Sequence, residues 1–255
     1  QDNNQQRRGK DFRLRFIWRM VLLFIIGQFN AAFFTGEILT MYAMLGLILP
    51  LFCRLGSRSV AIFATLLILQ PIDWFKVIYA LCNPDYVPGP SLASHYFGIA
   101  FDVQKNGTFL ETICMNLWEG QLANLTWALE HGRILQTPAL FLFGMLVGRK
   151  GLFLYSEQNE QRWLKALGMS LFPLYGLNNM LPGFITRDAL LIPLQLIISS
   201  LSNLSFMVLL VSGLLITFYR VKDRRFLMRF TSYGKMSLTN YIGQSVIGSL
   251  LFYHW

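Results

Sequence analysis

Long runs of apolar residues limit what this chain can fold into more than any other feature. The runs are about 17–25 residues long, and a helix of that length crosses the hydrocarbon core of a bilayer. Only 14% of the residues are charged, whereas soluble domains carry about 25%. Backbone amides in lipid need internal hydrogen-bond partners, and no stretch alternates like a barrel strand. The sequence therefore predicts an all-α fold, a polytopic transmembrane helical bundle.

Seven spans account for the apolar runs. They are predicted at residues 17–34, 37–53, 60–81, 133–147, 163–181, 196–219 and 233–253. A basic cytoplasmic segment (1–16) precedes a single transmembrane domain (17–255), and one large external loop (82–132) interrupts it.

The distribution of charge gives the predicted spans an orientation. The net charge is +9, but the basic residues stand beside alternate span ends, so no nucleic-acid partner is predicted. The external loop is acidic, with five carboxylates against Lys105. Because basic loops stay in the cytoplasm, the N-terminus of the given sequence is predicted inside and the loop outside.

Two further features concern charge and the external loop. Asp73 in the third span is expected either to pair with Lys76 or another cation, or to line a polar cavity.

Between residues 109 and 130, apolar side chains recur at helical spacing among polar ones. That pattern predicts a helix lying on the membrane or capping the bundle.

The first two predicted spans contain two polar residues, Asn30 and Glu37. Glu37 opens the second span, where a helix N-terminus favours a carboxylate, so it is either a helix-start residue or a functional one. Asn30 lies about one turn before the connection. An interhelical hydrogen bond would explain it as well as a substrate contact would.

A second polar group stands where the external loop enters the membrane. Histidine can accept or donate a proton near neutral pH, so His131 is a candidate general base, although an interfacial histidine is commonly structural. Arg133 and Gln136 are three residues apart and share a helix face. They are candidate substrate-binding residues.

The last span carries a third polar group. Ser237, Asn240 and Gln244 fall at steps of three and four residues and therefore share one face. They either join helices by hydrogen bonds or contact a ligand that enters from the cytoplasm. A cytoplasmic cavity bordered by basic residues such as Arg19 or Arg229 is predicted.

Three segments resemble one protein family. "YGKMSLTNYIGQSVIGSLLFY" at 233–253, "RMVLLFIIGQFNAAFFTGEILTMYAMLGLIL" at 19–49 and "LFLFGMLVGRKGLF" at 140–153 are similar to motifs of the DUF418 (YeiB-like) bacterial membrane proteins. The resemblance implies location in the bacterial cytoplasmic (inner) membrane. The usual His of the second motif is Asn30 here, and the usual Asp is Glu37. An N-terminal "DFxRG" segment is absent, so the sequence is expected to be a fragment, incomplete at its N-terminus and C-terminus.

The family in turn resembles heparan-glucosaminide N-acetyltransferase-like transmembrane acyltransferases. This resemblance implies transfer of an acyl group from a cytoplasmic donor to an extracytoplasmic glycan or lipid-linked sugar. Acyl-CoA is then a candidate co-substrate, with no permanently bound cofactor and no metal. Glu37 and His131 are the candidate catalytic residues. The candidate substrate-binding residues are Asn30, Arg133, Gln136, Ser237, Asn240 and Gln244.

Two other functions remain open at this point. A transporter or lipid flippase would show broken helices and paired charges inside the membrane. A non-catalytic membrane subunit would fit the loss of the family His at Asn30. Besides the bilayer and the acceptor, no partner is predicted.

Overall fold

The computed structural model of the chain describes residues 12–170, 174–221 and 225–254. Every regular element in these ranges is a helix, which confirms the all-α class. In chain order they are α1 (Phe12–Ala31), α2 (Leu39–Gly46), α3 (Leu49–Phe52), α4 (Ser57–Ile68), α5 (Pro71–Cys82), α6 (Leu92–Asn106), α7 (Phe109–Leu117), α8 (Glu119–Glu130), α9 (Arg133–Arg149), α10 (Glu157–Ser170), α11 (Leu174–Phe184), α12 (Asp188–Arg220), α13 (Arg225–Lys235) and α14 (Ser237–Phe252).

Few of these helices are long and apolar enough to cross a bilayer unbroken. In the described ranges two helices pass on length and composition, Arg13–Ala31 within α1 and the 33-residue α12. The pair α4 and α5 passes when taken together, with a bend of 43° between them. The chain thus has the apolar helices of a membrane protein, but seven continuous spans are not confirmed.

Several predicted spans are divided in the structure. The predicted helix 60–81 breaks at Gln70, which adopts the left-handed conformation with φ of 55° before Pro71. Proline disfavours the α conformation in the residue before it, which accounts for this break. The predicted helix 37–53 forms α2 and α3, and 233–253 divides between α13 and α14. In 163–181, α10 ends at Ser170, and residues 171–173 lie outside the described ranges.

Two other spans agree better with the prediction. Helix α9 covers the predicted 133–147 and continues only to Arg149. Helix α12 covers 196–219 but begins earlier, at Asp188. Helical continuity through Pro193 explains the missed start, because proline inside a transmembrane helix is tolerated when neighbouring groups satisfy the freed backbone.

The predicted external loop contains three helices rather than one. Helix α6 was not predicted, and the expected helix over 109–130 divides at Trp118 into α7 and α8. Thr108 begins α7 with a capping box, in which its hydroxyl and the Glu111 side chain bond each other's backbone N–H groups.

The apolar stripe of α7 and α8 points away from the protein. Trp118 is 71% exposed and Leu129 is 54% exposed, whereas Thr112, Asn116 and Ala123 are buried. A helix whose small and polar face packs inward while its apolar face is uncovered suits contact with lipid. Placement on a membrane therefore remains the expectation for these helices.

The described chain forms two compact units. The first contains residues up to Leu55, residues 90–138 and the segment from Met236. Within it, α1 packs against α2, and α6 packs against α8. A Cβ at Gly27 would stand 2.7 Å from the Thr40 hydroxyl oxygen. Glycine therefore permits the close approach of α1 and α2 that brings Asn30 near Glu37.

The second unit comprises residues 56–89 and 139–235. Its long helix α12 packs against α5, α10 and α11. The Gln70 side-chain amide donates a hydrogen bond to Ser200 of α12 at 3.2 Å, at the bend between α4 and α5. Asp73 is buried and forms a 2.7 Å salt bridge with Lys76, which is the first of the two alternatives predicted for Asp73.

Candidate functional site

The first unit buries the Glu37 carboxylate in the connection between α1 and α2. Glu37 is 1% exposed and Asn30 is 0% exposed. The Asn30 side-chain amide donates a hydrogen bond to one carboxylate oxygen of Glu37, and the backbone N–H of Leu39 donates to the other. The Asn30 Oδ1 atom is buried without a hydrogen-bond partner among the described residues. The hydrogen bond from Leu39, the first residue of α2, is the helix-start contact that the sequence predicted as one alternative for Glu37.

Tyr241 of α14 is the third member of this centre. Its hydroxyl lies beside the Glu37 carboxylate and near the backbone of Ile38. The hydroxyl is buried and interacts electrostatically with the carboxylate, but its geometry falls short of an ordinary hydrogen bond. We call Asn30, Glu37 and Tyr241 the carboxylate centre.

A network of side-chain amides holds the connection that carries Glu37. The Thr35 hydroxyl donates to Asn116 Oδ1 at 2.6 Å and accepts from the Gln104 amide. The Asn116 amide donates to the Ala32 carbonyl at 2.9 Å, and the Asn124 amide donates to the Thr35 carbonyl. All three amides come from the helices of the predicted external loop. We call this set the Thr35 clamp.

A cavity of about 290 Å³ lies along α14 next to the carboxylate centre. Tyr241 belongs both to its wall and to the carboxylate centre, and its hydroxyl oxygen is buried at the side of Glu37. The cavity is lined by Phe34, Tyr241, Gln244, Ser245, Gly248, Ser249, Phe252 and Tyr253. We call it the Tyr241 cavity.

The structure separates the three polar residues predicted on α14. Gln244 borders the Tyr241 cavity, but Ser237 and Asn240 do not. Ser237 is exposed, at the start of the helix. Phe34 and Tyr253 share the cavity with Gln244, and both belong to the end that the charge pattern predicts outside. This cavity therefore does not bring the three predicted residues together, because its wall follows Tyr241, Gln244 and Gly248.

His131, Arg133 and Gln136 form a separate set of contacts around Trp127. The exposed His131 ring stacks on Trp127 at 5.1 Å between centroids, and its Nδ1 lies 3.0 Å from the Trp127 carbonyl. The Arg133 guanidinium lies 5.6 Å from the Trp127 ring centroid and donates to Gln136 Oε1 at 2.6 Å. The predicted neighbours Arg133 and Gln136 thus do share a face, and Gln136 is buried.

Glu130, beside this set, has a structural role. Its carboxylate accepts hydrogen bonds from the Ser91 hydroxyl at 2.6 Å and from the backbone N–H groups of Leu92 and Ala93. Partial burial opposes ionisation, but these hydrogen bonds and the nearby His131 prevail and lower the pKa of Glu130. Glu130 therefore caps the N-terminus of α6 and joins it to the end of α8.

The "GRKG" element at 148–151 is also structural. Gly151 adopts φ of +61° after the end of α9, a conformation that glycine adopts without strain. The Asn159 amide donates to the carbonyls of Gly151 and Leu154, and the Trp163 indole donates to the Leu152 carbonyl at 2.8 Å. This motif shapes the turn before α10.

Sequence reasoning missed Thr35, Asn116 and Tyr241. Asn116 and Thr112 interrupt an apolar helix on the face that proved to be buried, and this was a readable signal. Tyr241 is recognisable as a hydroxyl on the last span, but its contact with Glu37 had no signal, because that contact depends on packing between segments more than 200 residues apart in sequence.

Comparisons with known proteins agree with the motifs. Over 98% of its length the chain is 23% identical to "Uncharacterized protein YxaH" from Bacillus subtilis (strain 168). Over 94% of its length it is 25% identical to an "Uncharacterized 39.9 kDa protein in amylase 3'region" from Bacillus acidopullulyticus. The chain spans 62% and 57% of these two relatives. No solved structure matches it significantly. The family model described as "Protein of unknown function (DUF418)" matches residues 147–255, and this identifies the chain as similar to that family, as its motifs predicted.

Proposed function

We propose that this protein is a membrane-embedded acyltransferase that moves an acyl group from a cytoplasmic acyl-CoA to an extracytoplasmic glycan or lipid-linked sugar. One observation carries the proposal. The buried Glu37 carboxylate lies against Tyr241, and Tyr241 forms part of the wall of a cavity large enough for a reacting group. A buried carboxylate joined to a cavity by a hydroxyl is suited to moving a proton out of a substrate.

The proposed reaction uses Tyr241 as the link between substrate and base. The acceptor hydroxyl oxygen attacks the thioester carbonyl carbon and loses its proton to the Tyr241 oxygen, while the Tyr241 proton passes to Glu37. The carbon–sulfur bond breaks, and the thiolate leaves and recovers the proton from Glu37 through Tyr241. The products are an ester and the free thiol, and Glu37 is again a carboxylate. Asn30 orients the carboxylate through its hydrogen bond.

The remaining candidate residues receive supporting roles in this proposal. Gln244, exposed at the cavity, would hydrogen-bond the substrate carbonyl. Ser237 and Asn240 would contact the donor head group at the start of α14. Arg133 and Gln136 would contact the acceptor. His131 stays the second candidate base, because Nδ1 facing a carbonyl leaves Nε2 to accept a proton.

The test follows label from [¹⁴C]acetyl-CoA into glycan and lipid fractions of bacterial membrane vesicles that contain the protein. Glu37→Gln should lower incorporation by about 100-fold or more, the usual contribution of a general base. Glu157→Gln, at an exposed carboxylate, is the matched control and should leave the rate unchanged. Wild-type rates with Glu37→Gln in membrane-inserted protein would eliminate Glu37 as the base. No incorporation above vesicles without the protein, from acetyl-CoA or from decanoyl-CoA, would refute the transferase.

A transporter is the second candidate, and the second unit favours it. Helices α4 and α5 are bent at Gln70, and Asp73 pairs with Lys76 beside the bend. Broken helices and paired charges are the features expected of transporters. The same vesicles discriminate between the two functions. Asp73→Asn should leave acyl incorporation unchanged in a transferase that works through Glu37.

A further inference from the structure

We propose that the Tyr241 cavity holds the acyl chain of the donor and limits it to medium length. This inference rests on the proposed transferase and names its donor class. It starts from the arrangement of α14, where Tyr241, Gln244, Gly248 and Phe252 follow each other at steps of three and four residues. They line one helix face about 16 Å long at 1.5 Å per residue.

The two ends of this face differ in chemistry. Tyr241 stands at the Glu37 end, and the Gln244 amide lies one turn away. Gly248 and Phe252 continue the wall without a polar side-chain group. A thioester carbonyl near Tyr241 and Gln244 would therefore direct its hydrocarbon tail along Gly248 toward Phe252.

The serines in the wall do not make it polar. The Ser245 hydroxyl donates to the Tyr241 carbonyl at 3.2 Å, and the Ser249 hydroxyl donates to the Val246 carbonyl at 2.9 Å. Both hydroxyls thus donate hydrogen bonds to backbone carbonyls of their own helix. Together with Phe34, Phe252 and the ring of Tyr253, they leave a mostly apolar surface that favours hydrocarbon over a sugar.

The volume sets how much of an acyl chain the cavity can enclose. An apolar cavity of about 150 Å³ accommodates benzene, which has six carbons. The Tyr241 cavity is about 290 Å³, roughly twice as large. It therefore accommodates on the order of 12 carbons, and the nucleotide part of a CoA donor must remain outside it.

Gly248 keeps the cavity open. A Cβ built at Gly248 meets no heavy atom within 4 Å, so a larger side chain there would occupy the cavity rather than clash with the fold. Gly243 on the same helix also has open space around its Cβ, but it does not line the cavity. Gly243→Leu therefore matches Gly248→Leu in helix propensity and differs from it in position.

The first experiment compares acetyl-, decanoyl- and hexadecanoyl-CoA as donors in the vesicle assay. Decanoyl transfer should exceed hexadecanoyl transfer. Gly248→Leu should lower the ratio of decanoyl to acetyl transfer at least about 10-fold (about 1.4 kcal/mol), and Gly243→Leu should leave both rates unchanged. The inference would be overturned if Gly248→Leu lowered the transfer rate equally for all three donors, or if the wild-type rate did not depend on acyl length. Neither result would contradict the proposed transferase.

The second experiment detects an acyl chain bound in the Tyr241 cavity without requiring acyl transfer. Protein in nanodiscs is photolabelled with decanoyl-CoA that carries a diazirine at the end of the acyl chain, and labelled peptides are mapped. Label on Gly248–Phe252 that Gly248→Leu abolishes supports the inference, even if no transfer is found and the transferase fails. Label there only from a diazirine phospholipid would assign the cavity to bilayer lipid and overturn the inference. Absence of label from both probes would overturn it as well.

Discussion

The Asn30 side chain reaches across the connection between α1 and α2 and donates a hydrogen bond to the Glu37 carboxylate. Both residues are almost wholly buried, so this contact replaces water for a group that is costly to desolvate. Asn30 thus supports the buried carboxylate of Glu37, which the proposed reaction uses as the proton acceptor.

Asn30→Leu should destabilise the protein. The substitution removes the donor to Glu37 and leaves a buried carboxylate oxygen unpaired, which costs about 1–3 kcal/mol of unfolding free energy. Thermal unfolding in detergent measures the loss. Asn203→Leu, at an exposed asparagine of α12, is the control and should have a much smaller effect. Equal effects of the two substitutions would mean that the Asn30 contact contributes nothing to stability.

Thr35→Val should loosen the connection that carries Glu37. Valine keeps the shape of threonine but leaves the Asn116 oxygen without its donor and the Gln104 amide without its acceptor. Faster hydrogen exchange of the backbone amides in residues 32–39 is the expected readout. Thr65→Val, at an exposed threonine of α4, should leave that exchange unchanged. Unchanged exchange in Thr35→Val would show that other contacts hold the connection.

The pH dependence of stability should report the Glu130 cap. Because the folded-state pKa of Glu130 is lowered, its contribution is present above the pKa of the unfolded chain and is lost as pH falls through the folded-state value. Wild type should therefore lose more unfolding temperature between pH 6 and about pH 3 than Glu130→Gln does. Asp85→Asn, at an exposed loop carboxylate, should follow the wild type. Parallel curves for wild type and Glu130→Gln would contradict the capping role.

The sequence predicted contacts between residues close along the chain better than contacts between distant segments. The Asp73–Lys76 pair is three residues apart on one helix, and the sequence predicted it as one of two alternatives. The shared face of Arg133 and Gln136 has the same local origin. Pro71 indicates the break at Gln70. It was missed because residues 60–81 are one mostly apolar run and were predicted as one helix.

The candidate site was harder to predict because its parts come from distant segments. Glu37 and Asn30 were found as polar residues in apolar surroundings, but their burial could not be distinguished from a helix-start role. The Thr35 clamp joins residues 69 to 89 positions apart, and Asn116 and Asn124 belong to the segment predicted to lie on the membrane or to cap the bundle. Hydrophobic periodicity identified the helix there but not which face would be buried.

The orientation of the chain in the membrane remains a prediction, and the contacts within each unit constrain it. In the first unit, the Thr35 clamp holds the α1–α2 connection against α6, α7 and α8, so these parts must share a side. In the second unit, Arg220 pairs with Glu160 at 2.7 Å, which joins the end of α12 to the start of α10. Arg187 likewise donates to the Asn83 carbonyl.

Each of these contacts joins two segments that the charge pattern assigns to the same side of the bilayer. Basic connections then lie in the cytoplasm, and the acidic segment 82–132 lies outside. An alkaline phosphatase fusion after Lys105 should therefore be active, because the enzyme needs the oxidising exterior, and a fusion after Lys150 should be silent. Fusions of a cytoplasm-active reporter at the same positions are the control and should give the reverse. Activity of the phosphatase after Lys150 but not after Lys105 would invert the topology and move the Thr35 clamp, Glu37 and the Tyr241 cavity to the cytoplasmic side.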